Sequence, residues 1–328
     1  MADFSSPERH DGNEPNEFVR SVIELSPDDI VTSDKKRNSL VAWFGNPVRF
    51  IILIVCIGIF MWSIVYILKT LQQYAEAENL YDNVGDIIMG EGEGAEMMYA
   101  SPLAPLTPDY NSSQNLTDEE IGNIITNGTV NKEFERVRNK LAGLKKQYPD
   151  LYGWITLPGT PINYPIMQTT DNEYYVNHSY TGGKLTAGAI FADYTCDRDL
   201  MRNYNLVLYG HHMTNSAMFN SLDKFLDKSF FLNNNTVYIY TLDGMFTYRV
   251  FSVYDTNMYY HFIRTQFTSR EYFIRFANEM RDNSIHPTPW QTFDAGSRLL
   301  TLATCSNRSE EGRLAVHAIM VDYYLVNN

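Results

Sequence analysis

Cysteine is scarce in this chain, three residues in 328, and no cysteine or histidine spacing matches a zinc site. Basic side chains are missing altogether from residues 70–130, which carry 11 acidic residues and no lysine or arginine. No basic patch interleaved with aromatics occurs anywhere, which argues against a nucleic-acid partner. Charge of either sign is missing from Phe50 to Leu68. The formal net charge of −13 therefore has a location. Residues 131–328 hold 19 acidic and 19 basic side chains and are neutral, so the acidity belongs to the first 130 residues and says nothing about a cationic substrate.

The uncharged run FIILIVCIGIFMWSIVYIL would span roughly 28 Å as a helix, close to the thickness of one hydrocarbon core. Lys35, Lys36, Arg37 and Arg49 precede it, while Glu76, Glu78 and Asp82 follow. That bias places the N-terminus in the cytoplasm and the C-terminal part outside the cell. A cleaved leader is the rival reading, with Ala75-Glu76-Ala77 as its cleavage site. The polar region before the run and the apolar core are both too long for one. The expected organisation is a disordered cytoplasmic tail (1–48), a transmembrane helix (49–69), an acidic extracellular stalk (70–130) and a catalytic domain (131–328). Residues 69–89 are expected to prolong the membrane helix, with the Gly/Glu/Pro-rich stretch from Gly90 onward extended.

The last 198 residues read as mainly β. Thr236–Tyr240 and Met245–Phe251 flank Asp243-Gly244, a hairpin turn signal. Phe134, Val137, Leu141 and Leu144 fall on one helical stripe from Asn131. A second helix is expected from Thr268, with Glu271 as capping-box partner and Phe273, Phe276, Ala277 and Met280 on its apolar face.

Chemistry concentrates at three strand ends. The apolar run Arg298–Leu302 leads into Ala303-Thr304-Cys305. A second run, Asn205–Tyr209, ends at Gly210 and is followed by His211-His212. A third opens at Arg313. A free thiol is only a few per cent thiolate at neutral pH, so a nucleophilic cysteine needs a base or cation nearby. Cys305 as nucleophile, His211 as acid/base and Arg313 as oxyanion clamp meet that need. Arg308 competes for the last role. Cys56 lies in the apolar run and reads as a small hydrophobe. Cys196 lies outside the membrane with Cys305, so a bridge between those two is the structural alternative.

Thr301-Leu302-Ala303-Thr304-Cys305 resembles the TLxTC signature of sortases, the cysteine transpeptidases of Gram-positive cell surfaces. The resemblance runs from about Glu133 to Val326 and is closest to class B. Gly153–Thr160, Ile162–Gln168, Asn172–His178, Ala187–Phe191 and Tyr209-Gly210-His211 with Met213, Met218 and Phe219 follow in family order. Three departures stand out. His211 and His212 are adjacent, and only one can face the cysteine; the match favours His211, directly after the glycine. Ala303 sits where class B members usually carry serine, and Arg308 lies between Cys305 and Arg313. Arg313 is preferred because it opens the final strand, as the family arginine does.

The resemblance implies a closed β-barrel of about eight strands, an N-terminal helix, and a helix between strands six and seven. It implies catalytic His211, Cys305 and Arg313, with Ala303, Thr304, Met213 and His212 towards the substrate. The implied partners are secreted surface proteins bearing an LPxTG- or NPxTN-like sorting motif, and an amine of a cell wall precursor or a pilin. Cleavage after threonine through a thioester needs no cofactor. A peptidase using water, or an inactive membrane-anchored binding protein, are the alternatives.

Overall fold

Runs of Val, Ile, Leu and Tyr between residues 151 and 325 form eight strands, the side-chain types that suit a pleated, half-buried surface. They are β1 (Leu151–Thr156), β2 (Asn163–Met167), β3 (Ile190–Ala192), β4 (Asn205–Tyr209), β5 (Thr236–Tyr240), β6 (Gly244–Asn257), β7 (Leu299–Cys305) and β8 (Gly312–Leu325). The sheet closes as a barrel in the order β1-β2-β3-β4-β7-β8-β6-β5. Two of its pairings, β2–β3 and β4–β7, are parallel. A parallel neighbour requires a long crossover, and the β4-to-β7 crossover contains β5, β6 and two α-helices. The expected eight-stranded closed barrel is the fold observed.

This computed structural model describes residues 47–90, 128–215, 217–305 and 311–326. Nearly all of the expected disordered tail, the stalk from 91 to 127, and Arg308 lie outside the described residues. Four helices are described: α1 (Pro47–Met89), α2 (Gly128–Gln147), α3 (Lys228–Asn233) and α4 (Arg270–Asp282). Compact units divide at Thr70/Leu71. In the first, α1 exposes apolar side chains such as Ile51, Phe60 and Trp62. This is the described helix long and apolar enough to cross a membrane.

In the second unit α1 changes character. Ala77, Tyr81, Val84 and Ile88 recur at helical spacing and are buried in one apolar cluster with Trp154, Ile166 and other barrel residues. Side chains the size of Val84 and Ile88 contribute about 1.5–3 kcal/mol each when fully buried. The carbonyls that end α1 are covered by cations from α2. Arg136 donates to Met89 at 2.6 Å and to Ile88 at 3.4 Å, and Lys140 also donates to Ile88. Cations at a helix C-terminus satisfy both its orphan carbonyls and its dipole. Phe134, Val137 and Leu141 of α2 are buried, as the stripe predicts.

Helix α4 lies between β6 and β7, and its expected apolar face packs with Phe251 and Tyr254 of β6. Its cap is Ser269 rather than Thr268. The Ser269 hydroxyl accepts from the Tyr272 N–H, so the helix begins one residue later than the capping-box reading. The β5–β6 hairpin is present, but its turn is centred on Leu242-Asp243. The Thr241 hydroxyl accepts from the N–H groups of Asp243 and Gly244 and closes the turn. Gly244 already pairs with Leu325, where a Cβ would collide with the Tyr324 carbonyl. Close strand approach, not turn geometry, requires that glycine.

Candidate active site

Backbone register decides which strand ends meet. β4 runs parallel to β7 with Tyr209 opposite Ala303, and the Gly210 N–H continues the ladder to the Ala303 carbonyl. One step further, His211 leaves β4 at the level where Cys305 ends β7. On the other side β7 is antiparallel to β8, and Cys305 is directly opposite Arg313. Paired α-carbons in such a ladder are about 4.5–5.5 Å apart. Residues 94 and 102 positions apart from His211 in sequence thus reach one end of three adjacent strands.

A cavity of about 420 Å³ opens there. Gly210, His211, Ala303, Thr304 and Arg313 line it on the strand side, and Asn172, Val176, Phe191, Tyr209, Met258, Phe262 and Ile263 complete the wall. Among these lining residues Arg313 is the one cation, and no carboxylate is present. The cavity is therefore mostly apolar with a single fixed positive charge, suited to an extended peptide whose carbonyl acquires negative charge. The Arg313 guanidinium is half-buried, and its Nη1 donates to the Gly312 carbonyl at 2.8 Å. Thr304 is buried, and its hydroxyl meets no hydrogen-bond partner among the described residues. A buried hydroxyl left unpaired at a cavity wall is available to a polar group of a bound peptide.

His211 is held by a loop from another part of the barrel. Its Nε2 lies 2.6 Å from the Val176 carbonyl oxygen. A carbonyl only accepts, so Nε2 carries the hydrogen, and the neutral ring presents Nδ1 as its basic nitrogen. Gly210 has a packing reason for its place before the histidine. A Cβ there would meet Ile190 Cδ1 at 2.5 Å and the Phe219 ring at 2.7 Å. The Phe219 N–H returns to the His211 carbonyl at 2.9 Å, closing the loop on itself.

His212 and Met213 do not line the cavity. The His212 side chain is 2% exposed, and its Nε2 is 2.8 Å from Asp223. Met213 is buried in the main apolar cluster. Adjacent histidines cannot share a direction at a strand end, and Asp223 supplies the partner for the second. Cys196 carries a free thiol, so no bridge joins it to Cys305. It is buried, and burial pushes its thiol up to about 12, far from a reactive thiolate. Among the described residues no cluster of three or more His, Cys, Asp or Glu is grouped to hold a metal ion.

Sequence reasoning missed the floor of the cavity. Asp193 is buried and accepts from the Tyr209 hydroxyl at 2.8 Å and from Asn172 Nδ2 at 2.9 Å, through the same carboxylate oxygen. Its other oxygen accepts from Thr195. These contacts join two cavity-lining residues, Tyr209 at the end of β4 and Asn172 in a loop. An isolated Asp in a loop gives no signal of this; the signal would have been its position directly after a short apolar run, Ile190–Ala192. Met258, Phe262 and Ile263 come from the segment after β6 and carry no motif at all.

The sortase-domain family model matches residues 155–321. The chain belongs to the sortase family, class B. A sortase B of Listeria monocytogenes is 34% identical over 189 residues, covering 56% of this chain and 75% of the relative. The structure of sortase B from B. anthracis in complex with AAEK1 is 39% identical, covers 56% of this chain and 84% of that one, and has a TM-score of 0.52. A Staphylococcus aureus sortase B–substrate complex is 28% identical, with a TM-score of 0.53, and covers 63% of this chain and 99% of its own. The enzyme is accordingly a sortase-type cysteine transpeptidase.

Proposed function

We propose that this enzyme is anchored in the membrane through Phe50–Leu68, with its N-terminus cytoplasmic and its barrel outside the cell. There it cuts an LPxTG- or NPxTN-like sorting motif of secreted proteins after threonine. Cys305 is the nucleophile. Its sulfur attacks the threonine carbonyl, Arg313 balances the oxyanion, and His211 gives a proton to the departing amine. The acyl group then waits as a thioester on Cys305. An amine of a cell wall precursor or a pilin attacks next, His211 takes its proton, and a new amide leaves the enzyme.

The observation that supports this reading best is the register. Cys305 faces Arg313 on the β7–β8 ladder, and His211 and Arg313 line the same cavity. The S. aureus sortase B–substrate complex is similar over 63% of this chain. Ala303 and Thr304 line the cavity and are assigned to the substrate, whereas Met213 and His212 act at most behind it.

The test is product analysis by mass spectrometry. The full chain in detergent is incubated with sorting-motif peptides, with and without added amines. An amine-dependent peptide adduct is the expected product. Hydrolysis at the same rate whether or not amine is added would replace the transpeptidase by a peptidase at this site.

A further inference from the structure

Helix α1 reaches the two loops that hold His211. The Tyr81 hydroxyl donates to the Gly188 carbonyl at 2.6 Å, and Tyr81 is buried. Gly188 has φ +58°, and a Cβ on it would meet the carbonyl oxygens of Tyr175 at 2.5 Å and Val176 at 2.6 Å. The Val176 oxygen is the acceptor for His211 Nε2. Tyr81 therefore fixes a peptide unit packed against the group that orients the imidazole. A second path leaves from the ring of Tyr81. It stands edge-on to Tyr164 at 5.4 Å, and the Tyr164 hydroxyl accepts from the Met218 N–H at 3.3 Å.

Met218 is the one described non-glycine residue with positive φ, +54°, and it lies in the loop that closes on the His211 carbonyl. A left-handed methionine costs free energy that neighbouring contacts must offset, and the Tyr164 hydroxyl is the side-chain partner of that backbone. Helix α1 adds two outer contacts to the same loops. Thr186 donates to Gln73 at 2.8 Å, and Thr214 reaches the Tyr74 hydroxyl at 3.5 Å.

We propose that Tyr81 is a positioning residue of this enzyme: through Gly188 and Tyr164 it sets the two loops that fix the orientation and tautomer of His211. This rests on the assignment of His211 as the acid/base. Residues 71–89, beyond the family-model match, thereby become part of the catalytic unit rather than a spacer. Among the described residues the Val176 carbonyl is the hydrogen-bond partner that holds the His211 ring, and misplacement of an acid/base by a fraction of an ångström is costly.

The experiment uses Tyr81→Phe in the full chain, which keeps the ring and removes the hydroxyl. Two readouts are taken, the His211 tautomer by ¹⁵N NMR with histidine-selective labelling, and kcat and KM for a sorting-motif peptide. The wild type is expected to show the Nε2–H form. In Tyr81→Phe that form is diluted, kcat falls roughly threefold to tenfold, the size of one lost hydrogen bond, and KM stays within about twofold. An unchanged tautomer overturns the proposal, whatever happens to thermal stability, because a purely structural tyrosine would lower Tm and leave the ring as it was. A changed tautomer with unchanged kcat upholds the coupling and removes His211 from the acid/base role.

Discussion

Thr301–His317 and Cys305–Arg313 are cross-strand pairs on one ladder, four residues apart along β7. Their surroundings differ in kind. His317 is fully buried, with Thr301 on Nδ1 at 2.9 Å and Tyr254 on Nε2 at 3.0 Å. Thr301 passes on to Asn205, and Asn205 to the Arg264 carbonyl. Both ring nitrogens are used, and burial drives the imidazole down from 6.5 to about 3. At the ladder's end Thr304 and Arg313 line a cavity, and His211 there has one nitrogen engaged and, among the described residues, no partner on the other. Saturation makes a histidine structural; a vacant nitrogen at a cavity makes it chemical.

The sharpest way to break this contrast is at the two cysteines of the barrel, Cys305 and Cys196. Cys305→Ala is expected to lower transpeptidation by at least about 10³-fold, with no acyl-enzyme trapped. Cys196→Ala should leave activity nearly intact, since its thiol is buried and held neutral. Loss of activity in the second variant and retention in the first would reverse the assignment. Next in size, Arg313→Ala is expected to cost about 10²–10³-fold in kcat/KM, the scale of a lost oxyanion contact. Arg308→Ala should cost far less, and equal losses would move the clamp.

Substitutions at the buried pair should act on stability instead. His317→Leu leaves the Tyr254 hydroxyl without its nitrogen partner and should lower unfolding free energy by about 1–3 kcal/mol in a urea titration. Per pH unit the smallest effect is the acid slope. Because the folded pKa lies below the unfolded one, the unfolded chain binds a proton between pH 6.5 and about 3 that the folded chain does not. Stability from this group is complete above 6.5 and is lost on acidification, by at most about 1.4 kcal/mol per pH unit. His317→Leu should flatten that part of the curve. An unchanged acid slope would assign it to carboxylates elsewhere.

Legibility followed local physics. The β5–β6 hairpin, α2 and α4 were readable because turn signals and helical stripes are properties of neighbouring residues, as Phe134, Val137 and Leu141 illustrate, whereas the closed barrel was expected from the family resemblance. The cap at Ser269 and the turn at Leu242-Asp243 were displaced by one residue, since competing hydroxyls in adjacent positions are told apart only by which one reaches an N–H. For the site, the strand-end positions of Cys305, His211 and Arg313 could be read in advance. That only one of His211 and His212 can face the cysteine was also legible; the groups that hold each ring, Val176 and Asp223, were not, because they come from other segments.

By itself the sequence determined an apolar run of membrane-spanning length, a series of β-type runs, and a thiol, an imidazole and a guanidinium at strand ends. Those follow from side-chain pattern and residue type. Only the tertiary structure decided that β4 is parallel to β7 and β8 antiparallel to it, that Tyr81 of α1 reaches the loops around His211, and that Asp193 ties Tyr209 to Asn172. Each of these depends on groups far apart in the chain, and closure of the barrel is what brings them within hydrogen-bonding range.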